Sequence, residues 1–296
     1  MHGGSPRRQR GVALILVLWM SVLLAIIVGS FAIVARTETL QASQLYNGLQ
    51  ARLAAEAGLH RAVYELRRPI LEERWFSDGR PYRFRYDQAE VEVRVIDESG
   101  KIDINVADEE LLNRLFESVG IENEDERLLL VDAILDWRDP DDLIRLNGAE
   151  DEEYRSAGYP YGAKDAPFDT VTEVQQVMGM DYERFSAIEP AITIHAGRPQ
   201  PEPAFAPKEV LMVLEGMTPE FADEFIDQRE QNVELGVPLP VLPDGTEAIT
   251  RSGGYTFTVV VKATMPNGIW SELEATVRMG GPPGDRPFRI LRWNEA

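Results

Sequence analysis

Arg7-Arg8-Gln9-Arg10-Gly11-Val12-Ala13-Leu14-Ile15-Leu16-Val17-Leu18 opens a run of 24 residues, 12–35, that holds no charge and only two polar side chains, Ser21 and Ser30. At 1.5 Å per residue such a run makes a helix of about 36 Å, enough to cross a hydrocarbon core of about 30 Å with some tilt. A secretory signal peptide shares the basic start, but its apolar core usually spans about 7 to 15 residues and ends in a small-residue cleavage site. Here the run is longer and continues into Arg36-Thr37-Glu38. The reading is a retained membrane helix. Arg7, Arg8 and Arg10 hold the leader in the cytoplasm, so that everything after Arg36 lies on the other side.

The helical signal persists beyond the membrane. Residues 37–68 lack proline, are alanine-rich over 51–57, and carry Leu45, Leu49, Leu53, Leu59, Val63 and Leu66 at near-helical spacing. Pro69 ends the pattern. The expectation is one helix over 12–68, apolar all round in its first half and amphipathic in its second, with Gly48 and Gly58 as the places where it could break.

Next come strand patterns. Residues 82–86 (Tyr-Arg-Phe-Arg-Tyr) and 91–95 (Val-Glu-Val-Arg-Val) alternate with period two, and turn chemistry follows at 97–101. A second pair, 255–263 and 270–279, flanks Pro266-Asn267-Gly268, a hairpin signal. An antiparallel sheet divided between 69–102 and 245–296 accounts for both. Between them, 103–244 reads as helical: an N-cap region at 105–108 before Leu111 to Phe116, then helices at 126–136, 171–178, 181–187, 208–214 and 219–231, with an extended linker at 198–203. The fold class expected is α+β, a long N-terminal helix on a small antiparallel sheet with a large all-helical insertion.

Charge narrows the function. The chain carries a formal net charge of −20, and residues 69–296 hold 22 Lys and Arg against 47 Asp and Glu, a net of −25. That surface repels phosphate backbones and invites cations. Val213-Leu214-Glu215-Gly216-Met217-Thr218, with Phe221, Ala222 and Arg229, has the form of a helix-hairpin-helix, yet its turn is flanked by Glu209, Glu215, Glu220, Asp223 and Glu224, so no nucleic-acid partner is expected. There is no cysteine, which excludes disulfides and Cys-ligated metals. The only histidines are His2, His60 and His195, and no nucleophile elbow accompanies them, so no enzyme is expected.

The densest chemistry lies in 136–169. Asp136-Trp137-Arg138-Asp139-Pro140-Asp141-Asp142 is followed by Asn147-Gly148-Ala149-Glu150-Asp151-Glu152-Glu153-Tyr154 and by Lys164-Asp165-Ala166-Pro167-Phe168-Asp169. So many carboxylates repel one another unless neutralised, and Ca²⁺ accepts six to eight oxygens in flexible geometry. The spacing is not that of an EF-hand. The competing reading is a solvated acidic surface with helix caps, Asp139 preceding Pro140 at a helix start. Trp137, Tyr154, Tyr159, Tyr161 and Phe168 argue for an ordered segment with an internal tie.

The Gly11/Val12 junction, the apolar Val12-Ala13-Leu14-Ile15-Leu16 and the long helix resemble type IV pilin-like prepilins. In that family a prepilin peptidase cuts after the glycine and methylates the new N-terminus, which implies cleavage between Gly11 and Val12 and N-methylation of Val12. The helical insertion, Lys101-Ile102-Asp103-Ile104-Asn105 and Asp136-Trp137-Arg138-Asp139-Pro140-Asp141 resemble more narrowly the protein K family of minor pseudopilins of type II secretion, over essentially the whole chain. That resemblance implies a SAM-like or helix-hairpin-helix insertion, and a tip position in a complex with the minor pseudopilins I and J. It also implies an inner-membrane, single-pass chain with a cytoplasmic N-terminus and a periplasmic bulk, supporting export of folded proteins across the outer membrane.

Leu16 occupies the fifth mature position, where pilins usually carry a Glu that pairs with the subunit ahead; its absence suits a tip. Family resemblance further implies structural Ca²⁺ in the inserted domain, with Asp136, Asp139, Asp141, Glu150, Asp151 and Asp169 as candidate ligands. Two other classes share parts of this pattern: a minor pilin of a type IV pilus, and a membrane-anchored DNA receptor, which would be basic outside the membrane.

Overall fold

The computed structural model describes residues 12–70, 73–248, 254–280 and 286–295. The basic leader and Gly11 lie outside the described residues, and the expected cut at Gly11/Val12 therefore falls at their edge. Helix α1, Val12–Leu66, runs unbroken for 55 residues. Its membrane-length N-terminal part is not buried by any of the described residues, and its large apolar side chains from Leu14 to Val34 are all exposed.

The C-terminal part of α1 lies across a sheet, and it does so through small residues. Ala51, Ala54, Ala55, Leu59, Ala62 and Leu66 pack against Val91, Val93, Val259, Val261, Ala263 and Ala275. Gly58 sits at the closest approach, where an added Cβ would fall 2.5 Å from a Val261 methyl and 3.1 Å from a Val91 methyl. The glycine read as a possible break is thus a point of close packing on the sheet, while an added Cβ at Gly48 would meet open space. The expected apolar face holds at Leu59, Val63 and Leu66, which are buried, and is corrected at Leu45, Leu49 and Leu53, which are exposed while Ala51, Ala54 and Ala55 make the contact with the sheet.

In chain order the strands are β1 (Asp78–Tyr86), β2 (Ala89–Asp97), β3 (Ile102–Asp103), β4 (Ile192–Thr193), β5 (Thr256–Thr264), β6 (Trp270–Met279) and β7 (Phe288–Glu295). Five of them form an antiparallel sheet in the order β1-β2-β5-β6-β7. Val91, Val93 and Val95 face Ala263, Val261 and Val259 across the β2–β5 seam and turn one face toward α1. On the opposite face Arg83, Glu92, Lys262 and Glu272 line up across four strands with alternating charge. Strand β7 carried no clear sequence signal. It is an edge strand, exposed along most of its length, and a register shift between Thr276 and Val277 disturbs its alternation.

The insertion holds α2 (Glu109–Ser118), α3 (Glu124–Arg138), α4 (Asp151–Ser156), α5 (Tyr182–Ile188), α6 (Lys208–Leu211) and α7 (Pro219–Leu235). Asp108, Asn123, Asp181 and Thr218 cap four of these by accepting a backbone N–H of the first turn. Leu111, Leu112, Leu115 and Phe116 meet Leu130, Val131 and Ile134 in a second hydrophobic core. Several expectations are corrected. Residues 171–176 form a 3₁₀-helix and not an α-helix, α4 lies within the segment read as irregular, and Asp139 caps the C-terminus of α3 instead of starting a new helix at Pro140.

Insertion and sheet are joined by buried charge. Asp78 pairs with Arg80 at 2.8 Å and with Arg229 of α7 at 3.3 Å, all three largely buried, while Arg229 Nη1 donates to the Ala206 carbonyl at 2.8 Å. Glu98 accepts hydrogen bonds from the hydroxyls of Thr193 in β4 and Thr258 in β5, and from Lys101. Parallel pairing of β3 with β4 returns the insertion to the place where it leaves the sheet.

Candidate functional site

The acidic segment is ordered by an aromatic cluster. Trp137 lies 5.8 Å from Tyr154, 6.2 Å from Phe168 and 6.2 Å from Tyr161 between ring centroids, and Tyr159 stacks edge-on to Tyr154 at 5.5 Å. Polar ties fix the rings: Trp137 Nε1 donates to Glu173 at 3.1 Å, the Met178 amide donates to the Tyr154 hydroxyl at 2.8 Å, and Asn105 bonds both the N–H and the carbonyl of Phe168, at 2.7 and 3.0 Å. The tie that the aromatics implied comes from outside the segment, from Asn105 ahead of α2.

Around this cluster the carboxylates divide into two groups. Asp136 is wholly buried at the end of α3. Its Oδ2 accepts the Arg145 amide at 3.2 Å, and its Oδ1 lies 3.2 Å from Arg145 Nε without a hydrogen-bond geometry. Asp139, one turn on, lies 3.7 Å from Arg145 Nη2. Glu150 is buried at the start of α4. One oxygen of each of Asp136, Asp139 and Glu150 is buried without a hydrogen-bond partner. Burial, opposed by the Arg145 amide and guanidinium, raises the Asp136 carboxyl to about 6. Burial and then the field of Asp136, Asp165 and Asp139 raise Glu150 to about 7.

Two glycines make room for this crowding. A Cβ on Gly148 would lie 1.8 Å from Asp136 Oδ2, and a Cβ on Gly162 would lie 1.6 Å from Asp151 Oδ1. Asp165, held at φ +55°, has its carboxyl pushed up by burial and then by Asp142, Asp151 and Asp139. The mutual fields thus link Asp136, Asp139 and Glu150 with Asp142 and Asp165, which sequence reasoning missed as ligands, and Asp151 joins them through Asp165. The positive φ of Asp165 was the missing signal, and sequence does not display it.

Two candidate ligands lie elsewhere. Asp169 pairs with Lys164 at 2.8 Å, which also holds Glu173, and Asp141 turns its Oδ1 to the Leu143 amide at 3.0 Å. Among the described residues no three His, Asp or Glu side chains are grouped closely enough to hold a metal ion as they stand. The donor chemistry is nevertheless of the kind a hard cation takes: only oxygens, several of them buried and three without partners.

The helical hairpin near Gly216 is not arranged for phosphate. Gly216 adopts φ +75° as the turn requires, but Arg229 is 2 % exposed and committed to Asp78. Leu16 sits on the bare part of α1 at 57 % exposure.

A membrane-length helix laid on a small antiparallel sheet, interrupted by a helical domain with a buried acidic site, defines a pilin-like protein with an insertion. Residues 92–197 match the family model for protein K of the type II secretion system. A type II secretion system protein K from Klebsiella pneumoniae is 26 % identical over 206 residues, which is 62 % of this chain. The chain spans 62 % of that relative's length. The fold is also that of a chain in the crystal structure of the GspK-GspI-GspJ complex from the enterotoxigenic Escherichia coli type 2 secretion system, with a TM-score of 0.55 at 18 % identity, covering 88 % of this chain and 99 % of that one.

Proposed function

We propose that this chain is a minor pseudopilin of a type II secretion system, seated at the tip of the periplasmic pseudopilus with the minor pseudopilins I and J, where it supports export of folded proteins across the outer membrane. The observation that carries the reading is α1. Its first half is apolar and bare, so something other than its own chain must cover it, first lipid and then the helices of a fibre. The exposed Leu45, Leu49 and Leu53 extend that need beyond the membrane. The insertion adds bulk above the sheet that hinders a further subunit from stacking, and Leu16 leaves no carboxylate at the fifth mature position to pair with a subunit ahead. The role is assembly, with no reaction catalysed and no nucleic acid bound. The relative's partners, named with GspK in the complex above, support I and J as this chain's partners.

Processing by a prepilin peptidase at Gly11/Val12, N-methylation of Val12 and an inner-membrane, N-in orientation belong to the same reading. Mass spectrometry of the mature N-terminus tests it: a chain starting at methylated Val12 is expected, and a chain retaining Arg7 to Gly11 in secreting cells sinks it. Co-purification with I and J distinguishes this role from that of a minor pilin of a surface fibre.

The acidic site is proposed to hold structural Ca²⁺, with Asp136, Asp139, Glu150 and Asp151 as the residues that hold it and Asp142 and Asp165 within reach. Bound there, the cation would neutralise carboxylates that burial otherwise drives toward protonation. Removing Ca²⁺ with a chelator is expected to lower the melting temperature, and Asp136→Asn to abolish that dependence; an unchanged melting temperature would count against the metal.

A further inference from the structure

Arg145 reaches the buried part of the acidic site: its Nε lies 3.2 Å from Asp136 Oδ1 and its Nη2 lies 3.7 Å from Asp139 Oδ2, while Arg155 pairs with the exposed Asp151 at 3.7 Å on the outside. Neither approach is a good hydrogen bond: Asp136 Oδ1 remains without a partner despite the 3.2 Å contact, and 3.7 Å to Asp139 Oδ2 is too long, while Asp139 Oδ1 and Glu150 Oε1 are buried without partners as well. The guanidinium therefore serves by charge more than by geometry. Its backbone is held independently of its head group, because the Arg145 amide donates to Asp136 Oδ2 at 3.2 Å while Asn147 donates twice to Asp132 Oδ2, at 3.0 and 3.1 Å. The side chain is 41 % exposed, so the head group has open solvent beside it. Its neighbours Leu143 and Leu146 are exposed too, 76 % and 96 %, and form no wall that would confine it.

We propose that Arg145 is a built-in stand-in cation: its guanidinium occupies the mouth of the carboxylate site when no metal is bound, and a divalent cation must displace it. The inference rests on the metal reading above and adds a competitor to it. A guanidinium binds carboxylates as a broad planar fork, while a hard cation needs several oxygens at 2.3–2.6 Å, so the two cannot share Asp136 and Asp139 in the same arrangement. Metal entry then swings the guanidinium into water while the tethered backbone stays. The device keeps the metal-free site from flying apart and, by the same contact, weakens the metal.

Calorimetry of the full chain in detergent with CaCl₂ tests this. Because the displaced pair is partly exposed, Arg145→Ala and Arg145→Gln are each expected to tighten Ca²⁺ by about three- to tenfold. They should also make the metal-free protein less stable to heat than the parent and the metal-bound protein no less stable. Lys208→Ala, which removes a charge from the remote pair with Asp223, is expected to leave the affinity within about twofold. Equal or weaker binding by both Arg145 variants overturns the proposal while leaving the metal site in place. Tightening of the same size in Lys208→Ala overturns it as well, since net charge alone would then explain the gain. No binding in the parent or any variant overturns the metal reading and this one with it.

Discussion

The sheet with α1 and the inserted domain are tied together in different ways. In the sheet, strands β1, β2, β5, β6 and β7 hydrogen-bond to one another in register, and the buried side chains there are mostly Val and Ala. In the insertion the short helices and turns bond their own backbones, and side chains tie the segments between them: Arg127 donates to the Ile121 and Glu122 carbonyls, Arg138 to those of Ile104 and Ala107, Arg184 to that of Gly179, and Asn105 clamps Phe168. A regular lattice spreads its energy over many similar contacts, and an irregular one concentrates it in a few polar residues. The insertion should therefore be the more fragile to single polar substitutions, and the sheet to changes of volume.

The seam between the regions offers the largest break. Asp78→Ala leaves Arg80 and Arg229 buried together with no carboxylate between them, and is expected to cost about 3–5 kcal/mol in denaturant unfolding. A loss under about 1 kcal/mol would mean that the seam relaxes or admits water. Next come the volume changes in α1. Gly58→Val forces a side chain into Val261 and Val91 and should cost about 1–3 kcal/mol, whereas Gly48→Ala, in open space, should gain about 0.5–1 kcal/mol from helix propensity. Identical responses at the two glycines would refute the close approach.

Within the insertion, Asn105→Ala removes both bonds to Phe168 and is expected to cost about 1–3 kcal/mol, with a shift in Trp137 emission. The smallest effect belongs to the exposed sheet face. Hydrogen bonding from Arg83, then from Arg94, holds the Glu92 carboxyl below its usual range. A lowered carboxylate pKa contributes stability present above the unfolded value and lost as pH falls through the folded one. Since the pair is exposed, Arg83→Ala should change stability by less than about 1 kcal/mol. Its clear signature is an upward move of the Glu92 titration in an NMR experiment, and an unmoved titration would detach Arg83 from it.

The same contrast explains what sequence displayed. The apolar run at 12–35 and the period-two strands at 82–86, 91–95 and 270–279 report backbone geometry directly, since side-chain spacing and hydrogen-bond lattice share a period. Strand β7 escaped because its register shift and edge position erase the alternation. In the acidic segment, composition announced a site, and the aromatics announced order. The grouping did not follow: Asp169 answers to Lys164, Asp165 turns inward on a positive φ, and Gly148 and Gly162 matter for the atoms they lack. Those facts depend on contacts across the loop that no local pattern encodes.

The bare half of α1 has a kinetic consequence. A helix with no polar face has no tolerable resting state in water, so a subunit cannot leave the bilayer first and find its neighbours afterward. In the assembly proposed above, release and capture are then one event, a handover from lipid to protein without an aqueous stop. The receiving surface needs only to be available, because the helix supplies its own penalty for going anywhere else.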